Sequence, residues 1–124
     1  MKVFSWNIRH GGGARITEIL AELERHADSD FIILTEYRNN KNASSIKEKL
    51  TLLGFVNQYS PNVEAKVNSV LIAAKYSVYF QEYSELQGHQ HRVVSARWKD
   101  IHIVGAYFPQ KKEKARVFDF LSDL

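Results

Sequence analysis

Two stretches, Phe4-Ser5-Trp6-Asn7 and Phe31-Ile32-Ile33-Leu34-Thr35-Glu36, each have the pattern of a strand that ends on a polar side chain. A segment of helical length separates them, so the pattern predicts a β-α-β unit with two parallel strands. Parallel strands end at the same edge of a sheet, and open α/β folds bind ligands at that edge. We therefore expect the amide of Asn7 and the carboxylate of Glu36 to meet there and begin a metal and phosphate site.

The spacing of apolar residues extends this unit into a β-α-β-α pattern followed by a run of strands. A helix is predicted over 15–27, and a second helix begins at Ser45-Ile46-Lys47-Glu48, which resembles a capping box, and stops at Gly54. Strands are predicted over 3–8, 31–35, 55–59, 67–74, 76–83, 92–98 and 101–108. A last helical face, formed by Val117, Phe118, Leu121 and Leu124, has no stop signal after it, so we expect more chain to follow.

Bulk composition is that of one globular domain. The chain has 124 residues, of which 44% are hydrophobic and 25% are charged, which argues against disorder. The net charge of +3 permits a polyanionic partner without requiring one. The sequence has no cysteine, so disulfides and thiolate metal sites are excluded. It has no apolar stretch of membrane-spanning length, and Met1-Lys2-Val3-Phe4 does not begin a signal peptide; we expect a soluble cytoplasmic protein.

Four short motifs follow one another along the chain. They are Trp6-Asn7, Thr35-Glu36, Asn68-Ser69-Val70-Leu71-Ile72, and Arg92 leading to Tyr107-Phe108-Pro109. In this order and at this spacing, they resemble the amino-terminal half of the endonuclease/exonuclease/phosphatase family. The resemblance covers essentially the whole chain. It implies an α/β fold over residues 1–124, namely half of a four-layer α/β sandwich with a mixed β-sheet and helices packed on one face.

The resemblance also implies a function, because family members cleave phosphate esters with a divalent metal. We expect part of a nuclease-like hydrolase of phosphodiester bonds, with Mg²⁺ (or Mn²⁺) as cofactor and nucleic acid or another phosphoester as substrate. The family's second half carries a Gly-Asp-x-Asn motif and a final Asp-His pair, and neither occurs in this sequence. These supply the base and a phosphate-binding histidine, so we expect this chain alone to have little or no hydrolytic activity. It would pair with the missing half or with itself.

Three residues are the candidates for catalysis. Glu36 is the expected metal ligand, because Mg²⁺ prefers oxygen ligands and takes one or two carboxylates from protein. The resemblance implies that Asn7 helps to hold the metal and the reacting phosphate, and that Tyr107 lies beside that phosphate, where its phenol can donate a hydrogen bond. The structural alternatives are a solvated glutamate at a strand end, an asparagine that starts a turn and a strand tyrosine with its hydroxyl in water.

Three further residues are candidates for binding phosphate. Asn68 and Arg92 belong to the quoted motifs, and Arg38 directly follows the Glu36 strand. Arginine suits phosphate because its guanidinium is a planar fork of donors. Arg92 serves equally well as a structural ion-pair partner, so both roles stay open.

The remaining polar segments point to weaker hypotheses. The pair in His89-Gln90-His91 has no third ligand for zinc, so an exposed loop is favoured. Gly11-Gly12-Gly13, with Arg9, His10 and Arg15 around it, forms a flexible turn that could line a substrate groove.

Two other classes of function stay open. One is a non-catalytic nucleic-acid-binding module that uses Arg9, Arg15 and the basic run 111–116. The other is a protein-interaction fragment that self-associates through an open sheet edge.

Overall fold

The computed structural model describes residues 1–108, 117 and 120–122. The helices α1 and α2 span Ile16–Arg25 and Ala43–Leu52. The strands are β1 (Val3–Asn7), β2 (Phe31–Tyr37), β3 (Asn57–Tyr59), β4 (Ser69–Ala74), β5 (Tyr79–Glu82), β6 (Val93–Trp98) and β7 (Ile101–Ala106). Each predicted strand is therefore present. Short 3-10 turns lie at His10–Arg15 and Gln90–Arg92.

The predicted final helix falls partly outside the described residues. Val117 and residues 120–122 are helical, whereas Phe118, Leu124 and the basic run 111–116 lie outside the part of the chain that the structure describes. None of the helices in the described part combines the length and apolar character that crossing a membrane needs.

The strands divide between two sheets. The first has the order β1-β2-β4-β3, in which β1 runs parallel to β2 and β4 is antiparallel to both β2 and β3. The second is the antiparallel sheet β5-β6-β7. The parallel pair sets Asn7 opposite Thr35, so both strands end at the same edge, as the β-α-β pattern predicts.

The central strands β2 and β4 of the first sheet are buried on both faces, which explains the continuous apolar run of β2. Ile32 and Leu34 lie in a core with α1 and α2, whereas Phe31 and Ile33 lie in a core with Val94 and other residues of the second sheet. A third core, on the far side of the second sheet, is formed by Tyr83, Leu86, Val93 and Val117, with Phe120 and Leu121 packed against it. The order helix, sheet, sheet, helix confirms the predicted half of a four-layer sandwich.

The two sheets approach closely at Gly105 of β7. A Cβ added there would lie 2.9 Å from Ile33 Cγ2 and 2.9 Å from Val70 Cγ1, closer than packed carbon atoms come. A larger residue would push the second sheet away from the first, and with it Tyr107, two residues further along the chain. The small residue therefore helps to position the candidate site.

The predicted end of α2 is right, and its predicted beginning is wrong. Phe55 N–H donates to the Leu50 carbonyl at 2.9 Å and Gly54 N–H donates to Thr51 at 3.0 Å, which is the Schellman pattern that a glycine stop predicts. The helix begins at Ala43, so the supposed capping box at Ser45 lies inside its first turn. The residue before the helix, Asn42, makes no side-chain cap, and its Nδ2 atom donates to the carbonyl oxygen of Gly11.

Candidate functional site

The side chains of Asn7 and Glu36 meet at the shared edge of β1 and β2. Asn7 Nδ2 donates a hydrogen bond to Glu36 Oε2 at 2.8 Å. Asn7 Oδ1 accepts a hydrogen bond from Arg9 N–H at 2.9 Å. The two contacts define the orientation of the Asn7 amide, which presents its NH₂ group to the carboxylate.

Glu36 projects from a β-bulge near the end of β2. The pairing of β2 with β4 shifts register between Thr35 and Tyr37, and Glu36 has a φ of 53°. A left-handed conformation costs a residue with a side chain about 1–3 kcal/mol, and such strain concentrates at functional sites. The carboxylate is largely covered, with 16% of the side chain exposed. Burial raises the pKa of the neighbouring Tyr37 to about 12.

A left-handed loop carries the chain from β1 to α1. Residues 9–13 have φ values of 59°, 52°, 72°, 87° and 53° in sequence. Gly11 is required for close approach as well as for its conformation, since a Cβ there would lie 2.4 Å from Asn40 Nδ2 and 2.9 Å from Arg38 Cβ. The loop is therefore packed at Gly11 against the segment that follows β2.

This loop brings His10 to the carboxylate. The backbone N–H of His10 donates to Glu36 Oε1 at 3.1 Å. The imidazole Nδ1 lies 3.0 Å from Arg38 Nη2, 3.3 Å from Asn68 Nδ2 and 3.4 Å from Glu36 Oε1. His10 was predicted only as a groove-lining residue of a flexible turn. Its central position depends on partners that are distant in sequence, and no local pattern indicates them.

Arg38, Asn68 and Tyr107 continue the network from His10. Arg38 Nε donates to Asn68 Oδ1 at 2.7 Å, and Asn68 Nδ2 lies 3.5 Å from the Tyr107 hydroxyl oxygen. The structure thus brings five of the six predicted site residues into one network of contacts, and His10 lies at its centre. The five are Asn7, Glu36, Arg38, Asn68 and Tyr107.

Arg92 connects to this network through its backbone. Its carbonyl oxygen accepts a hydrogen bond from Tyr107 N–H at 2.8 Å, which ties the start of β6 to the residue after β7. Its guanidinium Nη1 lies 2.6 Å from His89 Nδ1, in the turn before β6. Both contacts fit the structural role that the sequence leaves open for Arg92.

The donor atoms at this edge match a hydrated Mg²⁺ or Mn²⁺ better than zinc. Among the described residues, no group of three or more His, Cys, Asp or Glu side chains comes together, so a zinc site built from protein ligands is missing there. Mg²⁺ keeps several waters and needs only one or two carboxylates. Each Glu36 oxygen accepts one hydrogen bond, from Asn7 or from His10, and each keeps a further lone pair for a cation.

A cleft of about 600 Å³ lies near the site, and its lining includes none of the six predicted site residues. The cleft lies between the segment after β2 and the loop before β4. Asn40 lines this cleft and also packs against Gly11 of the left-handed loop. Lys41 and Lys47 contribute positive charge to its lining. Arg15, by contrast, is used within the protein, since its guanidinium donates to the carbonyl oxygens of Ile8 at 2.7 Å and Arg9 at 3.2 Å.

Several solved structures have a similar fold. No protein-family model and no curated protein sequence matches the chain. The 3′ phosphatase NExo from Neisseria, bound to a product DNA hairpin, is 18% identical, with a TM-score of 0.71 over 99% of this chain and 50% of that one. The catalytic domain of APE2 from Xenopus laevis is 20% identical, with a TM-score of 0.60 over 98% of this chain and 52% of that one.

A third similar structure carries the family name in its description. The endonuclease/exonuclease/phosphatase from Beutenbergia cavernae is 16% identical, with a TM-score of 0.56 over 94% of this chain and 42% of that one. The chain spans about half the length of the structures that it matches. These similarities confirm the predicted resemblance at the level of the fold, and coverage of half of each neighbour is consistent with an amino-terminal half.

Proposed function

We propose that this chain, which has the fold of the endonuclease/exonuclease/phosphatase proteins, is the amino-terminal half of a divalent-metal-dependent phosphoesterase. In this proposal residues 1–124 form one half of a nuclease-like domain that hydrolyses phosphodiester bonds. The observation that carries the proposal is the Glu36 carboxylate, held at a strained bulge by the Asn7 amide and the His10 N–H. Strain that is kept in place by two hydrogen bonds is typical of a functional side chain.

The proposed roles follow from the chemistry of each group. Glu36 is the metal ligand, and Asn7 supports it as the second member of the metal site, with Mg²⁺ or Mn²⁺ as the ion. A divalent cation bound there would neutralise charge that develops on the phosphate. Arg38 and Asn68 offer donors to phosphate oxygens, and the Tyr107 hydroxyl can donate to an oxygen that gains charge in the transition state.

Among the described residues, the site has no free carboxylate to accept a proton from the attacking water. Glu36 is the one carboxylate in the described network, and two hydrogen bonds and the proposed metal already use it. Hydrolysis needs a base within hydrogen-bonding reach of the water. The proposal therefore assigns the base to the second half of the domain, as the resemblance implies.

The open side of the described fold offers a surface for that second half. Among the described strands, β1 is an edge of the first sheet and β7 is an edge of the second. A cleft of about 440 Å³ opens between them, lined by Ser5, Ile33, Val104, Gly105 and Phe108 among others. Unpaired edges expose backbone donors and acceptors that favour further strand pairing. A second copy of the chain is the alternative occupant, and sedimentation of the isolated chain distinguishes self-association from a monomer.

Manganese provides a direct test of the metal site, because its unpaired electrons broaden nearby NMR signals. We expect Mn²⁺ to broaden the amide signals of Asn7, His10 and Asn68 in the wild-type chain. Glu36→Gln should abolish this effect, and Glu18→Gln, which alters an exposed glutamate of α1, should preserve it. Broadening that is centred elsewhere, or that survives Glu36→Gln, would reject the proposed metal site.

A second candidate function is binding of nucleic acid without cleavage. The lysine-lined cleft beside the site favours it, because contacts to phosphate supply much of the affinity for nucleic acid. An association with RNA that weakens with salt, needs no Mg²⁺ and survives Glu36→Gln would support this function over hydrolysis. The cytoplasmic location remains a prediction from the sequence.

A further inference from the structure

The imidazole of His10 is held at one nitrogen, and most of its side chain is exposed. Nδ1 lies within 3.4 Å of Arg38, Asn68 and Glu36. Even so, 68% of the side chain is exposed to solvent. The ring is therefore anchored on its Nδ1 side, and Nε2, on the opposite side of the ring, lies outside these contacts.

The partner of Nδ1 determines which nitrogen carries the proton. Arg38 Nη2 at 3.0 Å and Asn68 Nδ2 at 3.3 Å are both donors, and both lie closer to Nδ1 than the acceptor Glu36 Oε1 at 3.4 Å, so the shorter contacts favour a lone pair on Nδ1. A neutral imidazole with an unprotonated Nδ1 carries its proton on Nε2. His10 thus presents an N–H donor from the network that holds the Glu36 carboxylate.

The backbone keeps this donor in place. His10 has a φ of 52° and lies in the left-handed loop, where its own N–H is bonded to Glu36. A donor that is already oriented loses little conformational freedom when a ligand arrives. The side chain of His10 is exposed, its Nδ1 atom is anchored, and its Nε2 atom carries a proton. His10 can therefore donate a hydrogen bond to an oxygen acceptor.

We propose that Nε2–H of His10 donates a hydrogen bond to a phosphate oxygen of the substrate at the Glu36 site. This inference rests on the proposed phosphoesterase function and adds a residue to it. In the family that the chain resembles, the histidine that assists at the phosphate belongs to the second half of the domain. His10 gives this half a phosphate-contacting imidazole of its own.

Two substitutions separate this role from a purely structural one. The amide of asparagine can replace Nδ1 of histidine, whereas the longer glutamine can replace Nε2 as a donor. His10→Asn keeps the anchoring atom and removes the outward donor, and His10→Gln does the reverse. Asparagine also tolerates left-handed φ better than most residues, so backbone strain does not explain a defect in His10→Asn.

The probe is a short single-stranded DNA oligonucleotide with Mg²⁺, titrated into the chain and followed by NMR. We expect His10→Asn to weaken binding about tenfold, as the loss of one hydrogen bond to a charged acceptor predicts, and His10→Gln to remain close to wild type. The Nε2 signal of His10 should shift on binding. His102→Gln, an exposed histidine of the second sheet, is the matched control and should bind like wild type.

The outcomes distinguish this inference from the proposed function. Binding that needs Mg²⁺ and Glu36 but is unchanged in both His10 variants rejects the His10 contact and leaves the phosphoesterase proposal standing. The reverse order, with His10→Gln weakened and His10→Asn normal, assigns His10 a structural role through Nδ1 and also overturns the inference. Failure of the wild-type chain to bind the oligonucleotide rejects the His10 contact in this chain, and the Mn²⁺ experiment on Glu36 decides the proposed metal site separately.

Discussion

The side-chain amide of Asn42 donates a hydrogen bond to the carbonyl oxygen of Gly11 at 3.0 Å. The same Nδ2 atom donates to Gly13 at 2.9 Å, so one buried side chain closes two carbonyl groups of the left-handed loop. Asn42 precedes α2, where its side chain would ordinarily cap the helix. The residue instead joins the start of α2 to the loop that carries His10, and it acts on the site as a positioning residue.

Asn42→Ala should destabilise the chain by about 2–3 kcal/mol, because two loop carbonyls lose a buried donor. Urea unfolding measures this difference. Asn62→Ala, which removes an exposed amide from the neighbouring cleft, should change the free energy of unfolding by less than about 0.5 kcal/mol. Equal losses in the two variants would contradict the anchoring role of Asn42.

Gly11→Ala should be more harmful than the same change at Gly88. Both glycines have a left-handed φ, 72° at Gly11 and 77° at Gly88, so both variants suffer backbone strain of about 1 kcal/mol. At Gly11 the new Cβ also meets Asn40 and Arg38, whereas at Gly88 it meets open space. We expect a lower thermal midpoint for Gly11→Ala than for Gly88→Ala, together with shifted NMR signals of His10. Identical midpoints would show that the loop adapts.

Acid should remove a specific contribution of Asp30 to stability. Hydrogen bonds from the Tyr76 hydroxyl at 2.5 Å and then from the Lys2 backbone N–H at 2.7 Å hold the pKa of Asp30 below its ordinary value of 3.8. Because the folded state has the lower pKa, the stabilisation is complete above the unfolded value. It disappears as the pH falls through the folded value.

The test compares Asp30→Asn with wild type by urea unfolding at several pH values. The substitution should lower the free energy of unfolding at about pH 7, and the difference from wild type should shrink below about pH 4. Asp100→Asn, in the exposed turn between β6 and β7, is the control. A difference for Asp30→Asn that stays constant with pH would mean that the ionised form is not the stabilising one.

The isolated chain should not hydrolyse phosphodiesters at a rate above background, because its described site has no base for the attacking water. The assay supplies Mg²⁺ with DNA, RNA and a simple phosphodiester. Glu36→Ala serves as the matched variant, and it should be indistinguishable from wild type. Robust turnover by the wild-type chain that Glu36→Ala abolishes would prove this prediction wrong.

Local patterns were sufficient for the strands, for the stop of α2 and for the meeting of Asn7 with Glu36. Strand alternation and a glycine stop are properties of neighbouring residues, and the parallel β-α-β unit has few alternatives. The beginning of α2 could not be predicted in this way, because the amide of Asn42 bonds to a loop that lies 29 to 31 residues earlier in the chain. The helix therefore begins at Ala43 and not at the capping motif predicted at Ser45.

The order of apolar and polar residues was enough to predict a β-α-β-α unit followed by strands, with an amide and a carboxylate at one sheet edge, and the family resemblance added the half-sandwich. Only the tertiary structure divided the strands between two sheets, raised Glu36 on a bulge and brought His10 between Arg38, Asn68 and Glu36. The physical reason is the separation in sequence between the residues that contact one another. Periodicity records which face of a strand or helix is buried, whereas a left-handed loop is selected by hydrogen bonds to residues about 26 to 31 positions away.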